Sequence, residues 1–111
     1  MTGAQDSYAG VYEGRLSPGR HPALLLVDMV EAYLAPHSPL YCETAAEALG
    51  AAVSLLDIAR INGVPVVFTT VRYAKGGVDG GLFYRKVPVL RVFDAGSPLG
   101  AIPKQIGRAH V

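Results

Sequence analysis

Two uninterrupted apolar runs constrain this chain more than any other feature. Ala23-Leu24-Leu25-Leu26-Val27 ends in Asp28, and Val64-Pro65-Val66-Val67-Phe68-Thr69-Thr70-Val71 follows well downstream. Neither alternates apolar with polar residues, which marks strands buried on both faces, as parallel strands are. Between the runs, Leu49, Ala52, Val53, Leu56 and Ala59 form one apolar stripe on a helix predicted over 45–61. Thr44 and Glu47 stand at capping-box spacing, so their side chains are expected to satisfy the free amides of the first turn. Asn62-Gly63 is the expected stop, since glycine tolerates the left-handed conformation past a last turn. Strand, helix and strand joined by a short turn make a βαβ unit, with parallel strands and a right-handed crossover.

The rest of the chain is less regular. Residues 1–21 read as a polar N-terminal arm, and Pro36 and Pro39 make 34–42 a loop. Gly76-Gly77-Val78-Asp79-Gly80-Gly81 reads as a flexible turn or lid, with an anion-binding nest as the alternative, followed by a mixed stretch to Phe93 with a short helix near Pro88. One βαβ unit cannot cover both faces of a parallel sheet. The expected fold class is therefore α/β, an N-terminal part of a doubly wound parallel sheet, with the domain over 22–104. Residues 105–111 read as a non-native tail, because Ile106-Gly107-Arg108-Ala109-His110-Val111 is one translation of a common sequencing-library adapter.

Composition narrows the function. The 111 residues carry a net charge of +1 with the cations scattered along the sequence, which argues against nucleic-acid or membrane-surface partners. No apolar run reaches the ~20 residues of a membrane span. The first ten residues lack the basic head and apolar stretch of a secretory signal. A single cysteine, Cys42, excludes an internal disulfide and a four-thiolate zinc site, and fits a cytoplasmic location. His21 and His37 stand alone, so no metal site is expected.

Chemistry is expected at the carboxyl ends of the strands, where open parallel sheets gather their ligands. Asp28 ends the first run and reads either as a general base or as a loop-capping carboxylate. Tyr33 reads as a pocket wall or sheet-edge cover. Arg72 and Tyr73 follow the second strand and are candidates for substrate contact, with solvent exposure as the alternative. A thiol at a helix start, such as Cys42, can be activated, but no histidine stands at a recognisable distance and packing is the commoner role.

Pro22-Ala23-Leu24-Leu25-Leu26-Val27-Asp28-Met29 with Tyr33, then Gly63-Val64-Pro65-Val66-Val67-Phe68-Thr69, resembles the isochorismatase-like cysteine hydrolases. Gly80-Gly81-Leu82-Phe83-Tyr84-Arg85-Lys86-Val87-Pro88 with Gly96-Ser97-Pro98-Leu99-Gly100 is similar to the N-carbamoylsarcosine amidase branch. The resemblance implies a Rossmann-like three-layer α/β fold and an Asp-Lys-Cys triad in which Asp28 takes the thiol proton. It also implies hydrolysis of a small amide or carbamoyl substrate with no cofactor, in a homo-oligomer. Lys86 and Lys104 come too early for the triad lysine, and Cys42 lies on the wrong side of the first helix for the nucleophile. The expectation is therefore an inactive portion of a hydrolase. The rival readings are vinyl-ether hydrolysis on the same scaffold, a flavodoxin-like binding module, and an incomplete gene without function.

Overall fold

The computed structural model describes Val11 and residues 14–107; most of the predicted arm and the last four residues of the predicted tail lie outside the described residues. Strand β1 (Leu24–Val27) leads through a 3-10 turn (Glu31–Tyr33) to helix α1 (Ala45–Ile61), which returns to strand β2 (Val66–Thr69). The strands pair in parallel, with Leu24 opposite Val66 and Val27 opposite Thr69. This is the α/β arrangement expected from the two apolar runs.

Helix α1 covers one face of the sheet. Leu49, Ala52, Leu56 and Ala59 are buried against Leu26, Val66 and Ile106. The stripe read from the sequence is thus the core face. The helix ends as expected on Gly63, at φ 67°. The Gly63 amide donates to the Arg60 carbonyl at 3.3 Å and the Val64 amide to the Ala59 carbonyl at 2.8 Å, the paired bonds of a Schellman cap. Its start differs from expectation. Thr44 has helical backbone angles and its side chain makes no cap bond. A capping hydroxyl needs an extended residue to aim it at the next amides, and this one lies 3.4 Å from the Cys42 sulfur instead.

The opposite sheet face is bare. Side chains alternate across a strand, so Leu25, Val27 and Val67 point away from α1, and they are 54%, 59% and 47% exposed. Leu55, Ile58 and Ile61 are likewise exposed on α1. Two strands and one helix do not cover the apolar surface that their sequences carry.

Beyond β2 the chain folds on Tyr84. Helix α2 (Gly81–Lys86) is flanked by 3-10 turns at Lys75–Gly77 and Pro88–Phe93, so the helix expected near Pro88 is a 3-10 turn and an α-helix precedes it. The glycine-rich stretch is a packed turn, not an open lid. Gly77, at φ 73°, and Gly80 lie against the Tyr84 ring so closely that a Cβ at either position would overlap it. Tyr84 donates its hydroxyl to both Asp94 oxygens at 2.9 and 3.0 Å. Burial first, and then that bond, raise its pKa. Replacing Gly77 by Ala is expected to cost about 1–3 kcal/mol of stability, from steric overlap and the left-handed backbone together. A urea melt with an unmoved midpoint would contradict this packing.

After Pro98–Gly100 the chain returns to α1, where Ile106 is 1% exposed and its carbonyl accepts from the Arg60 guanidinium at 2.9 Å. Among the described residues no helix is long and apolar enough to cross a membrane.

Candidate active site

The end of β1 makes the first turn of the site. After Val27 the backbone departs the sheet through Asp28 at φ 55°, the one left-handed non-glycine residue among those described. Aspartate tolerates this region better than most residues, yet the conformation still costs on the order of 1 kcal/mol. It persists because β2 holds it. The Asp28 amide donates to the Thr69 carbonyl at 3.1 Å and to the Thr69 hydroxyl at 3.1 Å. That hydroxyl in turn donates to Asp28 Oδ1 at 3.2 Å. Oδ2 is left without a partner among the described residues.

Asp28 lines an open cavity of about 290 Å³. Tyr33 and Cys42 share it, and Met29, Leu34, Ala45 and Ala48 supply apolar wall. The wall is anchored where the Cys42 amide donates to the Tyr33 carbonyl at 2.9 Å. Tyr33 is half-buried and leans on Phe93, with ring centroids 6.5 Å apart. A single carboxylate in a mostly apolar cleft, with one oxygen unengaged, suits acceptance of a proton from a bound group.

The structure thus brings Asp28 and Tyr33 together and leaves the other two candidates outside. Arg72 is exposed, and it does not line the cavity. Tyr73 packs edge-on against Tyr84 at 4.9 Å and pairs through its backbone with the segment around Asp94. The chain turns away from the strand end after Val71, so proximity in sequence to β2 does not carry these side chains to the Asp28 rim. Thr69 escapes the sequence reading. Its only signal is a hydroxyl closing an apolar run whose register partner is the residue before Asp28.

Cys42 also proves to lie on the Asp28 rim, because the helix after a parallel strand starts at that strand's carboxyl end. The thiol is exposed and its pKa is lowered, first by the Thr44 hydroxyl and then by the Thr44 backbone. At a pH below the ordinary thiol value, more of it is therefore thiolate. Iodoacetamide should alkylate Cys42 faster than a cysteine in an unfolded peptide at neutral pH. Thr44→Val should bring the rate back towards that of the peptide, and equal rates for the two proteins would contradict the assignment.

Comparison with known proteins gives the family. The Isochorismatase domain model matches residues 22–106. Maleamate amidohydrolase from Pseudomonas putida is 41% identical over 99 residues, covering 88% of this chain and 46% of the relative. N-carbamoylsarcosine amidase from Arthrobacter sp. is 30% identical over 82 residues, covering 69% of this chain and 31% of the relative. The chain spans less than half the length of either curated relative. A parallel βαβ unit carrying Asp28 at its carboxyl rim, inside a family match that takes in most of the sequence, assigns the chain to the isochorismatase domain family.

Proposed function

We propose that this chain forms the Asp28 side of an amidohydrolase site for a small, carboxylate-bearing linear amide. The observation that carries the reading is the Asp28 carboxylate, held through Oδ1 by Thr69, on a residue that lines a mostly apolar cleft. C–N hydrolysis is supported over vinyl-ether hydrolysis because the relatives are named an amidohydrolase and an amidase, and maleamate and N-carbamoylsarcosine, an amide and a urea, both carry a carboxylate.

In this reading Asp28 takes the proton of a cysteine thiol, with a lysine nearby favouring the thiolate. The thiolate attacks the amide carbonyl, and the C–N bond breaks as ammonia leaves with the returned proton. Water then hydrolyses the thioester and regenerates the thiol. Tyr33 walls the substrate, and Arg72 and Tyr73 keep only a peripheral place. The lysine and the nucleophilic cysteine are proposed to lie outside these 111 residues, which by themselves are proposed to be inactive. The active protein is proposed to be a cytoplasmic homo-oligomer that needs no cofactor.

The test is ammonia release from maleamate and from N-carbamoylsarcosine by a protein continued to the relatives' length. Release from either, retained in Cys42→Ser, supports the reading. Vinyl-ether cleavage of isochorismate without ammonia release, or loss of activity in Cys42→Ser, would replace it.

A further inference from the structure

A second cavity, of about 430 Å³, lies beyond β2 and shares no residue with the first. Gly76, Gly77, Gly81 and Tyr84 form its floor and sides, and Arg85 and Arg91 supply its charge. No carboxylate lines it. The surrounding segment is basic: Arg72, Lys75, Arg85, Lys86 and Arg91 are five of the chain's ten Lys and Arg, against Asp79 alone from 72 to 91. The Asp79 carboxylate is engaged by the Ala74 amide at 2.8 Å. Asp94, the next acid, is engaged by the Tyr84 hydroxyl through both oxygens.

Arg85 and Arg91 thus line one concave site that no carboxylate lines, and Asp79 and Asp94 are already hydrogen-bonded. Guanidinium forks match the paired oxygens of carboxylates and phosphates. Gly76 and Gly81, at φ 81° and 69°, have no atom within 4 Å of where a Cβ would stand, so the main chain there is open to a ligand. The size suits a small ligand. We propose that this cavity binds a small oxyanion, a phosphate or a carboxylate, through Arg85 and Arg91, independently of the Asp28 site.

The test is an NMR titration of the 111-residue protein with inorganic phosphate and, separately, succinate, at ionic strength held constant with chloride. Saturable shifts are expected at the amides of residues 76–81 and at the side-chain Nε of Arg85 and Arg91. The stronger response identifies the ligand source, a phosphate or a carboxylate. Arg85→Gln with Arg91→Gln should weaken binding at least about tenfold, and Asp28→Asn should leave it unchanged. Arg85→Gln alone guards against a folding defect, since that side chain is exposed and should still weaken binding. Shifts that never saturate, or affinity unchanged in Arg85→Gln, would overturn the proposal.

Discussion

Asparagine in place of Asp28, in a protein continued to the length of its relatives, is expected to cut amide turnover about 10³-fold while leaving substrate affinity nearly unchanged. Asparagine has the same shape, and its side-chain oxygen can still accept from the Thr69 hydroxyl that meets Oδ1 at 3.2 Å. The left-handed turn and the cleft wall are therefore retained. What is lost is the negative charge and the basic oxygen, so the thiol has no proton acceptor. Steady-state ammonia release and ligand binding, measured on the same preparation, separate the two effects. Turnover near wild type would show that the carboxylate only caps a loop. Thr69→Val should be milder, slowing turnover by loosening the carboxylate without removing it, and Thr69→Ser should restore most of the rate.

The second large effect is a reversal of sign. Leu25 and Val67 are 54% and 47% exposed on the bare sheet face, next to Val27. Exposed apolar surface and free sheet edges promote self-association. Leu25→Lys with Val67→Lys should therefore make the 111-residue protein more soluble and more monomeric by light scattering. We propose that in the continued protein further chain covers this face, as both faces of a parallel sheet require. There the same pair should be destabilising, on the order of 3 kcal/mol per buried ammonium, because neither charge would have a partner. Equal behaviour in the two lengths would mean that the face is free in both.

The central unit is legible because its signals are local. Unbroken apolar runs, a stripe at helical spacing and Asn62-Gly63 each act within a few residues, and the helix bounds follow from them. The capping box misleads because spacing does not reveal the backbone angles of Thr44, which leave its hydroxyl to Cys42. The glycine-rich stretch departs from expectation for a different reason. Its glycines are needed by the ring of Tyr84, a contact that sequence spacing alone does not reveal. At the site, Asp28 and Tyr33 can be found from their position relative to one strand. Thr69 depends on the register between two strands, and Arg72 and Tyr73 on a turn whose direction is set by Phe93 and Asp94. The bare apolar faces follow from the same count of elements that makes one βαβ unit insufficient.

The most direct measurement is the intact mass of the continued protein, quenched in acid shortly after mixing with its amide substrate. Covalent catalysis through Asp28 requires an adduct equal to the substrate less ammonia, present when Asp28 is intact and absent or strongly reduced in the Asp28→Asn variant. Rapid ammonia release with no adduct, undiminished by that substitution, would contradict it.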